Sequence, residues 1–342
     1  MAERATVADV AIKAGVSVAT VDRVLNRRRP VRRETADAVL QAAEALHYYA
    51  TPLMRRRAAH LGRPVTFGFV LQKRAKPFYR ALADALEAET AAASAIRGAA
   101  RIRFVDELSP RALVRHMREL EDEVDALAVV AIDHPHISDE IERLRAGGTP
   151  TLSLLSHLSA PLACGHVGVD GRKAGRTAAW AIERCAKRRG PVGVLIGSHR
   201  YLGHEDREIG FRSYFRERGL GFDIKESIAY LDDETGAHGT LLELLGGGAK
   251  PVALYVIGGG VEGVLRALEE EQVSKDVALV CHELNAETRN ALIDGTIDMI
   301  IDTSIVQVAK RAIEALIEAV DKADTPLGVR LVPFDIYVSE NV

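Results

Sequence analysis

Cysteine is scarce in this 342-residue chain, at Cys164, Cys185 and Cys281 only. Three dispersed thiols form neither a paired disulfide framework nor a metal-like spacing, which fits a reducing compartment. Long apolar runs are missing as well. No stretch approaches the roughly 18 apolar residues of a membrane span, and the opening MAERATVADV carries charges where a signal peptide needs an apolar run. The expectation is a soluble, cytoplasmic protein without a membrane partner. Signatures of catalysis are also missing: there is no H-E-x-x-H, no P-loop and no G-x-S-x-G.

What the chain does contain is unevenly distributed. Its net charge of −3 conceals a basic start, since residues 1–63 hold twelve Lys/Arg against six Asp/Glu, a net +6. The remainder holds 33 against 42, a net −9. A basic head on an acidic body suggests that the head alone meets a polyanion. The length calls for two or three domains.

The head reads as three helices. Thr6 can cap a short helix to Ala14, with Val7, Val10 and Ala11 at helical spacing. Gly15 ends it, because a tight turn often needs positive φ. Ser17 caps a second helix to about Asn26 that buries Val21, Val24 and Leu25. A third helix starts near Arg33 or Glu34 and buries Val39, Ala42, Ala43 and Leu46. Two helices joined by a tight turn and braced by a third make the helix-turn-helix plan.

Burying Val21, Val24 and Leu25 leaves Val18, Ala19, Asp22 and Arg23 on the free face. In this plan the second helix enters the major groove of double-stranded DNA. Arg23 suits bidentate pairing with guanine, and Val18 and Ala19 suit thymine methyl groups. Ser17, Thr20 and Asn26 suit phosphate contacts, with Thr6 counted among the DNA-facing residues. Arg27, Arg28, Arg29, Arg32 and Arg33 add attraction without sequence information. The bland alternative is a solvated basic helical cap.

The run TVADVAIKAGVSVATVDRVLN resembles the signature of the lactose-repressor (LacI-type) family, and later segments follow that family along essentially the whole chain. The resemblance implies that Val18, Ala19 and Arg23 read bases. Asp22 departs from it, since most relatives carry serine there. Its carboxylate either accepts from cytosine or pairs with a nearby arginine, and the second reading is favoured.

Residues 51–63, TPLMRRRAAHLGR, place Thr51 as a helix cap and Pro52 at the first helical position. So short a helix is marginal alone in water, and it is able to fold when its arginines meet phosphate. The resemblance implies a hinge helix in the minor groove, with Arg55 as the hinge arginine. Arg57 stands where relatives wedge a leucine between base pairs, which leaves Leu53, Met54 or Leu61 as substitutes. A flexible basic linker is the other reading.

From Val65 onward, apolar runs alternate with amphipathic helices: Thr66–Leu71, Ile102–Val105, Ala126–Ile132, Thr151–Leu155, Val167–Val169, Val192–Ile196, Ala253–Ile257, Val277–Val280 and Met299–Ile301. This pattern indicates an α/β fold with doubly wound parallel sheets covered on both faces. So many strands fit two lobes of about four to six better than one sheet. The resemblance implies a two-lobed, periplasmic-binding-protein-like body crossed three times, near residues 165, 302 and 326. The expected organisation is therefore a head over 1–50, a hinge over 51–63 and an effector domain over 64–342. Lobe 1 would take about 64–165 and 302–326, and lobe 2 about 166–301 and 327–342.

Ligands of such sheets sit beyond the carboxyl ends of strands, and candidates follow from that place. After the first strand, Lys76 precedes Phe78 and Tyr79, in a "PFY" similar to the sugar-stacking "PFF" of ribose-binding relatives; ordinary helix-start core is the alternative. Leu155-Ser156 stands where pentose-binding relatives offer an Asp-Arg pair, which argues against a ribose-like effector and leaves Ser156 as the candidate. Arg207-Glu-Ile-Gly-Phe211 matches the family's R-x-x-G-F, whose arginine bonds ligand hydroxyls, and its planar donor fork suits paired oxygens. His204 lies nearly one turn earlier. Glu283 stands where relatives place an aspartate, and Asp302, Thr303 and Asp133 end other strands. Asp170 either lines a crossing or caps a helix, capping being favoured. His134 and His136 lack a third metal ligand in register.

Gly258-Gly-Gly260-Val-Glu-Gly263 follows a strand and opens a helix, with an acid about 20 residues on. Formally this is a dinucleotide fingerprint, so a nucleotide-cofactor-binding enzyme fused to a DNA-binding head is the alternative function. Its position deep in the second lobe and the absence of a catalytic constellation count against it. The same glycines would let an anionic or phosphorylated effector reach backbone amides. The leading expectation is a repressor, not an enzyme, that binds operator DNA as a homodimer or tetramer. A sugar, polyol or sugar phosphate would control it, with no metal and no cofactor.

Overall fold

The computed structural model describes residues 5–26, 31, 33–52, 54, 63–160, 164–247, 250–322 and 326–342. The head begins with α1 (Val7–Ala14). Thr6 Oγ1 accepts from the Asp9 amide, and the Asp9 carboxylate accepts from the Thr6 amide at 2.8 Å, a reciprocal cap. Gly15 closes the helix at φ 66°. Then come α2 (Val18–Asn26), opened by Ser17 Oγ accepting from the Thr20 amide, and α3 (Arg33–Ala45). Val10, Ala11, Val21, Val24, Val39 and Ala43 form their shared core, against which Leu25 and Leu46 pack.

The helical turn that follows differs from the expectation in two ways. The Met54 amide donates to the Ala50 carbonyl, so the turn opens at Ala50. The Thr51 hydroxyl donates back to the Tyr48 carbonyl rather than capping. Met54 is fully buried in the head core, which removes it as a wedge. Arg28 and Arg55, together with Leu53, Arg57 and Leu61, lie outside the described residues.

The first lobe holds β1 (Arg63–Gln72), α4 (Pro77–Ala92), β2 (Ile96–Val105), α5 (Pro110–Glu121), β3 (Ala126–Val129), α6 (Pro135–Ala146), β4 (Thr151–Leu154) and β5 (Cys164–Val169). The chain returns to it with α12 (Ile305–Asp321) and β11 (Val329–Val332). Its six strands run in the order β11-β5-β4-β3-β1-β2, all parallel. The second lobe holds α7 (Gly171–Cys185), β6 (Pro191–Ile196), α8 (Leu202–Arg218), β7 (Asp223–Ala229), α9 (Glu234–Gly246), β8 (Ala253–Ile257), α10 (Val261–Glu270), β9 (Ala278–His282), α11 (Ala286–Ile293), β10 (Met299–Thr303) and β12 (Phe334–Tyr337). Its order is β12-β10-β9-β8-β6-β7, with β12 antiparallel at the edge.

Each sheet buries near-continuous apolar strands under helices on both faces, as parallel pairing requires. Phe67, Phe69 and Leu71 of β1 meet Val308, Ala312 and Leu316 of α12, which fixes that helix to the first lobe. Ala174, Ala178 and Ile182 of α7 meet Phe211 and Tyr255 in the second. Because β5 and β11 both pair within the first sheet, the crossings fall near 170, 304 and 333 instead of 165, 302 and 326. The boundary moves because a parallel strand stays in its sheet to its carboxyl end, and only the next element changes lobe: a helix at the first two crossings and β12 at the third.

Candidate nucleic-acid interface and interlobe cleft

The residues of α2 and its cap that lie opposite the core are largely exposed. Val18 is 51% exposed, and Ser17, Ala19, Arg23 and Asn26 are exposed too. Asp22 is half-buried, and Asn26 Nδ2 donates to its Oδ1 at 2.6 Å, which ties together two residues read as separate DNA contacts. Ser17 Oγ and Thr20 Oγ1 lie 2.9 Å apart. Thr6 is exposed and also caps α1, its hydroxyl donating to Asp9 at 2.7 Å.

Three crossings bring the carboxyl ends of both sheets to one cleft. A cavity of about 490 Å³ lies there, within the range of small-molecule sites. Lys76, Phe78, Tyr79, Glu283 and Asp302 line it as expected. A smaller annex of about 50 Å³ shares Phe78, Tyr79, Tyr201 and Glu283 and adds Ser156, His204, Arg207 and Thr303. Nine of the ten cleft candidates thus converge. Asp133 does not line either space: its carboxylate accepts from the amide and hydroxyl of Ser159, both at 2.7 Å. Asp170 accepts from the Lys173 amide and caps α7. His134 Nδ1 accepts from the His136 amide at the start of α6.

Sequence reasoning missed Lys73, Tyr201, Asp232, Glu262, Asn285, Ser304 and Asp335, which also line the cavity. Asp232 matters most. It follows β7, whose sequence DIKESIA offers no apolar run, so no strand end was visible there. Lys73 reaches across the cleft, where its Nζ donates to the carbonyls of Leu231 at 2.9 Å and Asp232 at 3.0 Å. Three further bonds join the lobes nearby, from the Gly203 amide to Ser156 Oγ, from the Asp133 amide to the Arg200 carbonyl and from the Arg200 guanidinium to the Leu108 carbonyl.

The electrostatics of the cleft follow from burial. Burial, reinforced by the adjacent Asp232 and partly offset by Arg207, pushes the Glu283 carboxyl up to about 8. Burial also raises Asp302, whose Oδ1 accepts from the Leu284 amide at 2.9 Å and so holds the Glu283 turn. His204 is pushed down to about 4, again by burial. His282 lies well below its usual range for the same reason, with Arg207 adding to it. A neutral His282 donates from Nδ1 to the Ile301 carbonyl, which leaves Nε2 to accept from the Tyr255 hydroxyl at 2.8 Å. Tyr255 in turn stacks on Phe211. Arg207 Nε and His204 Nδ1 are buried without a partner. Leaving such an atom unsatisfied costs about 1–3 kcal/mol, and both belong to residues that line the annex.

The glycines of the motif divide between the cavity wall, which Gly259 and Gly260 line, and helix packing at Gly263. Asp232 Oδ1 accepts from the Gly259 amide at 2.8 Å, so a carboxylate already occupies a place a phosphate would need. A Cβ on Gly263 would stand 2.0 Å from the Glu234 carbonyl oxygen, which explains that glycine by the contact of α9 with α10. An anionic effector meets the Asp232 and Glu262 carboxylates at this turn.

A DNA-reading head joined to a two-lobed body with a small-molecule cleft defines a ligand-responsive transcription regulator. The chain belongs to the lacI family of bacterial regulatory proteins: residues 6–50 match that family's domain, and residues 67–324 match the periplasmic binding protein domain. Over 281 residues it is 26% identical to the HTH-type transcriptional regulator GalS of Salmonella typhimurium, covering 79% of this chain and 76% of GalS. Over 82 residues, 24% of each chain, it is 40% identical to the ribose operon repressor of Halalkalibacterium halodurans. Among solved structures, a solute binding protein of Agrobacterium vitis bound with alpha-D-tagatopyranose superposes with a TM-score of 0.73. It has 15% identity and covers 81% of this chain and 95% of that one. GanP, a glucose-galactose binding protein of Geobacillus stearothermophilus, gives 0.72 at 16% identity over 81% and 99%.

Proposed function

We propose that the protein represses transcription from a two-fold symmetric operator as a homodimer, with a sugar or polyol in the interlobe cleft releasing it. One recognition helix reads only a few base pairs, and pairing two heads doubles the site. Effector binding would change how the lobes, and through them the heads, are spaced, exchanging operator affinity for effector affinity by linkage. The observation that carries this reading is the convergence of two buried, unpartnered polar atoms in the annex, Arg207 Nε and His204 Nδ1, with Phe78, Tyr79 and Tyr201, which line both the annex and the cavity of about 490 Å³. Rings offer a face to a pyranose, and the polar atoms suit its hydroxyls. The names of the ribose operon repressor, the tagatopyranose-bound solute binding protein and the glucose-galactose binding protein GanP support the same ligand class. In this reading the protein binds its effector in the cytoplasm without converting it, and the Asp232 carboxylate at Gly259 disfavours sugar phosphates.

Thermal unfolding against a panel of sugars, polyols and sugar phosphates tests it, since a ligand at 100 times its dissociation constant adds about 2.7 kcal/mol of stability. A hit should also lower operator affinity in a mobility-shift titration, and Arg207→Ala should abolish that response while leaving operator affinity in place. Absence of any shift across the panel would remove the sensor reading.

A further inference from the structure

Five carboxyl groups line the cleft and annex, from Asp232, Glu262, Glu283, Asp302 and Asp335, against three cations, Lys73, Lys76 and Arg207. Several of these groups already have partners. Asp232 accepts from the Gly259 amide, Glu262 from Asn285 Nδ2, and Asp302 from the Leu284 amide. Lys73 is held by two carbonyls. Glu283 differs, because among the described residues no hydrogen bond ends on its carboxylate, and its backbone is left-handed at φ 71°. A methyl group built on Gly259 would stand 3.7 and 3.9 Å from the two Glu283 oxygens and 4.0 Å from Asp232 Oδ1. Two carboxyl groups therefore face one bare patch of backbone in the cavity wall, and a cation seated there would displace the proton that Glu283 otherwise keeps up to about pH 8. On the far side of Asp232 lies the His204 ring, whose Cε1 would sit 2.9 Å from a Cβ on Gly258. Its Nδ1 and the Arg207 Nε are the buried polar atoms still lacking partners there.

A neutral hydroxyl donates one hydrogen bond and can satisfy only one of the two carboxylates over Gly259. An ammonium group donates three and carries the compensating charge, and charge-assisted bonds are about twice as strong as neutral ones. We propose that the effector is an amino sugar or an equivalent polyol amine, its protonated nitrogen seated over Gly259 between Glu283 and Asp232. Its ring lies against Phe78, Tyr79 and Tyr201, and its hydroxyl oxygens meet Arg207 and His204. The inference rests on the reading of the cleft as a sugar site.

Calorimetric titration of the full chain at neutral pH with D-glucosamine and D-galactosamine, their parent hexoses and their N-acetyl forms separates the two. At least one amino sugar should bind about tenfold more tightly than both its parent and its N-acetyl form. Glu283→Gln should collapse that ratio towards one, and Asp232→Asn should do the same independently if the first variant folds poorly. A parent hexose that binds as well as its amine, or better, overturns the amine and leaves the sugar site standing. Failure of every compound in the panel overturns both.

Discussion

At the scale of single residues, the cleft titrations have opposite signs. Glu283, pushed up to about 8, binds its proton more tightly in the folded chain than in the unfolded one. Its contribution is therefore present at low pH and lost as pH rises through about 8. His204 and His166, both pushed down to about 4 by burial, contribute the reverse: on acidification below about 6.5 the unfolded chain takes up protons that the folded chain refuses. Thermal unfolding of the ligand-free protein should thus fall between pH 6.5 and 8, and Glu283→Gln should flatten that limb; an identical slope in the variant would dismiss the assignment. In the head, Arg23 is exposed beside Val18 and Ala19. Arg23→Ala should lower discrimination between operator and unrelated DNA by about 1–3 kcal/mol. Footprinting that shows an unchanged operator preference would place the reading helix elsewhere.

At the scale of elements, Arg207 owes its position to how closely α7 and α8 approach. A Cβ on Gly175 would stand 1.8 Å from the Arg207 carbonyl oxygen, and one on Gly210 would stand 2.1 Å from that of Arg172. The glycine of R-x-x-G-F therefore sets a helix crossing that carries the arginine to the annex. Gly210→Ala should push the helices apart, lowering stability by about 1–3 kcal/mol. It should also weaken effector binding in calorimetry while operator affinity holds. Element reading from sequence succeeded where burial was continuous, as in β1, β3, β6 and β8. It missed β7, β11 and β12. These are edge strands wholly or largely open to solvent on one side, and Val329 and Leu331 of β11 remain 68% and 51% exposed, so no run of buried apolar residues marks them.

For the molecule as a whole, Lys73 is the strap between lobes. It projects from the end of β1 to carbonyls of the loop after β7, and burial lowers its pKa while Asp232 partly restores it. Lys73→Met keeps the stem and removes both bonds. It should weaken effector affinity by roughly tenfold, each hydrogen bond to a charged group contributing about 1.5–3 kcal/mol when well buried and less here. The scattering profile of the free protein should expand in step. Unaltered affinity and dimensions would show that the strap does not set the spacing of the lobes.

The sequence by itself determined the head, the exposed face of its second helix, the α/β class and most of the cleft lining. Caps, turns and helical periods are local, and strand ends such as Glu283 and Asp302 are marked by the apolar runs before them. Only the tertiary structure decided that Asp232 meets Glu283 over Gly259, that Asp133 turns away to Ser159, and that Gly263 serves helix packing. These depend on which strand lies beside which and on how the lobes face each other. Contacts between residues dozens of positions apart leave no periodic trace in the chain.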